Sequence, residues 1–332
     1  MERLEVQTRI ELKNVLFATD FSSAAGVAIP YAAALVKRYG AKLHILHVRP
    51  AVVNPMAPPA TWPALEKAAT MEADQQRREL RTRFAGIEPE ILIKEGDLWS
   101  NLAAEIEQRN IDLVVIGTRG RSGIRKLLLG SSAEEIFRRV SCPVLTVGPH
   151  IQAKQIPSAE FTHILFATDF GPESTAAAPY AVSLAKECDA YLTLLHVIAE
   201  PKVGDLVDSS EVRASSERLL RNLIPADEPW CTPAYVVETG IVAEKILDIA
   251  SRRGADLIVL GVRQPHGIPG AATHLAITTA HKVVAQANCP VLTVRAHRTA
   301  TLGYNGTMLA KGRAFLEHRE PFDCRTRRSP VS

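Results

Sequence analysis

Val15-Leu16-Phe17-Ala18-Thr19-Asp20-Phe21 returns 149 positions later as Ile164-Leu165-Phe166-Ala167-Thr168-Asp169-Phe170. At the same offset Pro30-Tyr31-Ala32 recurs as Pro179-Tyr180-Ala181, and His47-Val48 as His196-Val197. Further along, Cys142-Pro143-Val144-Leu145-Thr146-Val147 recurs as Cys289-Pro290-Val291-Leu292-Thr293-Val294, now at an offset of 147. An offset that drifts by only two residues over most of each copy marks a duplication. The chain is therefore two copies of one domain joined head to tail, with a polar linker around residues 149–159.

Working outward from these stretches, each copy alternates strand and helix. In the first copy the predicted strands lie near 13–19, 42–48, 90–95, 112–116 and 143–148, with helices near 22–39, 65–85, 98–109 and 131–140. Continuous apolar runs such as Leu113-Val114-Val115-Ile116 suit a parallel sheet covered by helices on both faces. Ala133, Ile136, Phe137 and Val140 form one apolar stripe at helical spacing, repeated by Ala280, Val283, Val284 and Ala287. The fold class is α/β: two tandem, open, doubly wound, parallel five-stranded sheets, whose ligands belong at the carboxyl ends of the strands. Pro30 and Pro179 fall inside the first helix of each copy, where proline either kinks the helix or splits off its first turn.

Composition excludes several classes. Of 332 residues 46% are hydrophobic and 23% charged, the mix of a soluble globular protein. No apolar run approaches the roughly 20 residues of a membrane span, and Met1-Glu2-Arg3-Leu4-Glu5 has no basic, then apolar, leader pattern. The expectation is a cytoplasmic protein without membrane contact. From His297 onward seven Lys/Arg face three Asp/Glu, so this tail outweighs the net +3 of the chain and leaves the body near neutral. A near-neutral body argues against nucleic-acid binding. The five cysteines include no CxxC and no Cys/His cluster, which reads as reduced, packed thiols.

The chemistry sits after the fourth strand of the first copy. Gly117-Thr118-Arg119-Gly120-Arg121-Ser122-Gly123 leads through 124–129 to Gly130-Ser131-Ser132, which opens a helix. Glycine lets the main chain approach a ligand closely, and free N–H groups at a helix start favour an anion. Ser131 with Glu134, and Ser132 with Glu135, have capping-box spacing. Charge-assisted hydrogen bonds of about 1.5–3 kcal/mol each only offset an association cost of about 4–15 kcal/mol. A nucleoside pocket is therefore needed as well. Asp20 stands ready for a ribose hydroxyl or a phosphate-bound Mg²⁺, and the Val48 backbone for adenine. Arg119 is a candidate phosphate partner, while Gly123 serves either the ligand or the loop alone. His47 and His196 read as packed core residues.

The spacing G-x2-G-x9-G-S, formed by Gly117, Gly120, Gly130 and Ser131, resembles the ATP-binding signature of the universal stress proteins. The Asp after the first strand and the Cys-Pro-Val before the last are similar to that family too. The resemblance covers about residues 10–148 and 160–295. It implies an adenine nucleotide α-hydrolase-like fold, binding of ATP with or without Mg²⁺, and a role in stress adaptation, commonly as a dimer. Together with the residue reading above, the candidate nucleotide-binding set is Asp20, Val48, Gly117, Arg119, Gly120, Gly123, Gly130, Ser131 and Ser132, with no catalytic residue and no separate metal site. The second copy departs from the pattern: Gly261 aligns with Gly117, but Gln264 replaces Gly120 and Ile277 replaces Gly130.

The expected domains are 1–149 with an intact nucleotide loop, 158–296 with a degenerate one, and a basic, disordered tail at 297–332. By analogy with the family's strand order, the last strand of each copy is an edge. An open apolar edge seeks a partner, and tethering favours the other copy of the same chain. An intramolecular pseudo-dimer is expected, with homodimerisation between chains as the competing arrangement. The leading function is an ATP-binding regulatory module. A slow nucleotide hydrolase or phosphotransferase and a non-binding scaffold are the alternatives. No Walker, HExxH or GxSxG motif supports the enzyme.

Overall fold

The computed structural model describes residues 10–49, 61–118, 131–151, 160–200, 209–224, 232–263 and 279–296. The first copy runs β1 (Asn14–Ala18), α1 (Ser23–Tyr39), β2 (Lys42–Arg49), α2 (Trp62–Arg83), β3 (Glu90–Glu95), α3 (Leu98–Gln108), β4 (Leu113–Gly117), α4 (Ser131–Arg139) and β5 (Val144–Val147). The second runs β6 (His163–Thr168), α5 (Pro172–Cys188), β7 (Tyr191–Ile198), α6 (Ser209–Asn222), β8 (Ala234–Thr239), α7 (Val242–Arg253), β9 (Leu257–Gly261), α8 (Thr279–Gln286) and β10 (Val291–Val294). Every strand and helix expected in the first copy is present, with ends shifted by a few residues. The basic tail and the linker from 152 to 159 lie outside the described residues.

The two expected sheets are halves of one. Ten strands lie in the order β3-β2-β1-β4-β5-β10-β9-β6-β7-β8. Among the described residues pairing is parallel within each half and antiparallel between β5 and β10, where Leu145 faces Leu292, Thr146 faces Val291 and Val144 faces Thr293. The pairing anticipated between the two last strands is thus the seam of the molecule. Thr293 Oγ1 adds a bond of 3.3 Å to the carbonyl oxygen of Val144 across it.

The two faces of the sheet are organised differently. On the α1/α5 face a single core runs through both copies and includes Phe17, Leu145, Phe161, Phe166 and Leu292. Tyr31 stacks on Phe161 at 6.2 Å between ring centroids, and Arg38 donates to the Glu187 carbonyl oxygen. On the opposite face each copy has its own core, around Leu16, Val114 and Ile136 in the first and around Leu165, Ile258 and Val283 in the second.

Proline does not split the first helices. α1 and α5 each run unbroken through Pro30 and Pro179. The cost is one missing main-chain donor, because a proline nitrogen carries no hydrogen to donate to the carbonyl four residues back. Ser22 Oγ accepts from the Ala25 N–H at 3.2 Å and Gly40 closes α1 at φ 63°, the left-handed conformation that suits glycine. Among the described residues no helix is long and apolar enough to cross a membrane.

Because β5 and β10 are both central strands with buried side chains, Leu145→Pro should destabilise the chain by about 3 kcal/mol or more. Chemical denaturation is expected to register that loss, and limited proteolysis between residues 149 and 160 should accelerate with it.

Candidate functional site

The strand order places β1 between β2 and β4. Connections leave β1 and β4 towards opposite sides, which makes their carboxyl ends a topological switch point, the usual ligand crevice of such sheets. Asp20, Val48 and Gly117 stand at the carboxyl ends of β1, β2 and β4, and Ser131 is the first residue of α4. Ser132 follows it and is exposed. Arg119, Gly120, Gly123 and Gly130 lie outside the described residues.

The turn from β1 into α1 is built from short local bonds. Thr19 N–H donates to the Leu46 carbonyl at 2.9 Å. Phe21 N–H donates to Thr19 Oγ1 at 3.1 Å, and Ser22 N–H to Asp20 Oδ1 at 2.9 Å. These bonds hold Phe21 at φ 58°, a left-handed conformation that a bulky residue rarely adopts. The Phe21 ring meets the His47 ring edge-on at 4.7 Å, and His47 Nδ1 lies 2.8 Å from the Thr19 carbonyl oxygen. A carbonyl only accepts, so His47 is the donor. The histidine thus braces the turn, in keeping with its reading as a satisfied core residue. Asp20 itself is exposed and directs one oxygen into the turn.

The second copy repeats this turn with a different outcome for its carboxylate. Phe170 has φ 60°, its N–H donates to Thr168 Oγ1 at 2.9 Å, and His196 Nδ1 sits 2.9 Å from the Thr168 carbonyl oxygen. Asp169 Oδ1 accepts from Gly171 N–H at 2.9 Å and from Ser174 Oγ at 2.6 Å. Arg263, which aligns with Arg119, places Nη2 3.5 Å from Asp169 Oδ2 and Nε 4.0 Å from Glu173 Oε2. Burial pushes the Asp169 carboxyl up, but the bonds from Ser174 and Gly171 and the Arg263 charge outweigh it and hold the group below its usual value. Residues 20 and 169 are equivalent in sequence, yet Ser174 corresponds to Ala25 and Glu173 to Ala24.

Gly117 has a packing reason that sequence reading did not see. A Cβ added there would lie 2.3 Å from the main-chain oxygen of Ala24, where the first turn of α1 crosses the end of β4. Gly261 is caught in the same way, 2.3 Å from the Ser174 nitrogen. The second copy keeps this glycine while losing Gly120 and Gly130, so close approach of helix and strand is sufficient to require it. Thr118, which follows, is buried with Oγ1 3.2 Å from the Val147 carbonyl oxygen and belongs to the support of the crevice. Cys142 and Cys289 are buried, with thiols pushed up to about 12 by burial, consistent with their reading as packed residues.

A model of the universal stress protein family matches residues 11–148 and again 160–295. The chain belongs to the universal stress protein family. It is 25% identical over 260 residues to a universal stress protein of Mycobacterium tuberculosis, covering 76% of this chain and 86% of that protein. A universal stress protein of Mycolicibacterium smegmatis is 25% identical over 303 residues, covering 85% of this chain and 97% of the relative. Among solved structures, a universal stress protein from Archaeoglobus fulgidus aligns at a TM-score of 0.65 and 21% identity, covering 86% of this chain and 99% of that one. That likeness bears on the fold. In this universal stress protein both copies match the family, while only the first keeps all four residues of the glycine signature.

Two outcomes follow from the geometry. Gly117→Ala and Gly261→Ala should each destabilise the protein by about 1–3 kcal/mol or more, because a methyl group has no room against main-chain atoms. Thermal or denaturant unfolding is the measurement, and comparable losses in both copies are the signature of packing. Asp169→Asn should lower stability at neutral pH and lose its effect in acid. The folded carboxyl titrates below its unfolded value of 3.8, so its contribution is full above that value and disappears as pH falls through the folded one. Unfolding curves of wild type and variant should converge over that window.

Proposed function

We propose that the first copy binds an adenine nucleotide, ATP with or without Mg²⁺, at the carboxyl ends of β1, β2 and β4. In this reading the chain is a cytoplasmic, nucleotide-dependent regulatory module of stress adaptation and not an enzyme. The observation that carries the reading is the setting of the glycine signature. It opens on the last residue of β4 and ends on the first residue of α4, the strand-loop-helix context in which such a motif has physical meaning. The first turn of α4 offers main-chain N–H groups and the positive end of the helix dipole to phosphate. Gly120, Gly123 and Gly130 would let the loop close on it, with Arg119 as a phosphate partner. Asp20 would take the ribose or the Mg²⁺ that accompanies the phosphates. A single carboxylate suits that ion, which is commonly held by one or two carboxylates plus phosphate oxygens and water. The Val48 main chain would meet the base.

The second copy is the partner half of an intramolecular pseudo-dimer. Its aspartate is engaged by Ser174, Gly171 and Arg263, and Ile277 stands where the loop needs Gly130. One nucleotide per chain is expected.

Mass spectrometry of small molecules released by denaturing the purified protein should identify an adenine nucleotide, and isothermal titration should give one site. Gly130→Ile is expected to abolish that site, and Asp20→Ala to weaken it by about tenfold or more. Undiminished affinity in Gly130→Ile would remove the assignment. ATP turnover at ordinary enzyme rates of about 1–10³ per second, lost in Asp20→Ala, would replace the regulatory reading with a hydrolase.

A further inference from the structure

The pseudo-two-fold relation between the copies breaks at one pair of positions. Residue 148 follows β5 and residue 295 follows β10, at the same offset of 147 that relates the two strands. The first is glycine and the second arginine. A Cβ on Gly148 would lie 3.2 Å from the Val284 carbonyl oxygen and 3.4 Å from that of Ala287, at the end of α8. Phe137 in α4 is the equivalent of Val284, and its carbonyl oxygen accepts a bond from Arg295 Nη2. The end of α8 is therefore met by bare main chain, whereas the end of α4 is met by a guanidinium.

Arg295 is only 7% exposed. Its Nη1 donates at 3.0 Å to the carbonyl oxygen of Arg263, the residue whose side chain faces Asp169. Burial pushes the guanidinium below its usual value, though it remains charged. The last carbonyls of a helix have no partners inside it and form the negative end of its dipole, so a cation is best placed there. Phe137 adds an apolar hold at the same point. Ala133, Ile136 and Val140 pack in the first copy's core, but the Phe137 side chain packs in the second copy's. α4 has nine residues, too few to hold a conformation without tertiary contacts. Its carboxyl-terminal end is anchored in the other copy, while its amino-terminal end opens on the crevice.

We propose that Arg295 is a positioning residue for the first copy's nucleotide site, supplied by the second copy: by fixing the end of α4 it sets where Ser131 and Ser132 meet the phosphates. The proposal rests on the nucleotide reading above. It makes the second copy a structural part of the first copy's site, and it gives the fusion of the two halves a functional consequence.

The test is ATP titration of the full chain in three variants. Arg295→Met keeps an unbranched stem that ends short of the guanidinium, and removes both bonds. Arg295→Lys keeps the charge and reaches fewer acceptors. Arg38→Met removes an inter-copy bond on the opposite face of the sheet and reports generic weakening of the seam. Arg295→Met should weaken ATP binding by about tenfold, Arg295→Lys by less, and Arg38→Met not at all. Without nucleotide, amide exchange over 133–137 should quicken in Arg295→Met while exchange over 280–285 stays as in the wild type. Wild-type affinity in Arg295→Met, equal weakening in Arg38→Met, or unchanged exchange in α4 would each overturn the proposal while leaving the nucleotide reading intact. If Arg295→Met does not fold, Arg295→Lys decides, and wild-type affinity there overturns it. A flat titration of the wild type brings down the nucleotide reading and this proposal together.

Discussion

A β-strand at the rim of a sheet exposes a row of unpaired N–H and C=O groups, and that constraint governs this molecule. Taken alone, each copy would end on a short apolar strand, β5 or β10. The two strands satisfy each other antiparallel, with Leu145 against Leu292 at the centre. Their side chains are buried on both faces, so hydrogen bonding and apolar burial act together at the seam. The rims left over are β3 and β8, and both are guarded by charge. Glu90 pairs with Lys42 and Arg109, Glu95 with Arg49, and Glu238 with Lys245 and Arg252. Charged rims resist pairing with another sheet, whereas the apolar edges are consumed internally.

The seam has different consequences on its two faces. On the α1/α5 side it merges the copies into one core, so neither half's first helices are independent of the other. On the α4/α8 side two separate cores lie over the sheet, and Phe137, Arg295 and Gly148 reach across between the copies. The helices on this second side follow the glycine loop and its degenerate counterpart. One of these contacts holds the end of α4, the helix that in the first copy begins at the crevice.

Comparison of the copies separates support from chemistry. The Thr-Asp-Phe turn, its left-handed phenylalanine and the bracing histidine occur twice with nearly the same distances. Gly117 and Gly261 are required twice by the same main-chain approach. These features belong to the scaffold. What differs is the surroundings of the aspartate and the intact glycine loop, and these differences carry the functional reading. A universal stress protein with two halves can retain a shared frame while only one half keeps all four residues of the glycine signature.

The duplication, the α/β alternation, every strand of the first copy and the positions of Asp20, Val48, Gly117 and Ser131 at strand and helix ends were legible in the sequence. Apolar runs, helical stripes and turn residues are local signals, and each is written in consecutive residues. The pairing of the two last strands was anticipated, but its register depended on tertiary structure, because Leu145 and Leu292 lie far apart in the chain. So did the packing reason for Gly117, which lies in a helix passing over it. The engagement of Asp169 by Ser174 and Arg263, and the anchoring of α4 by Arg295, were equally invisible. An arginine's partners are set by where its long side chain ends, and only the folded neighbourhood decides that.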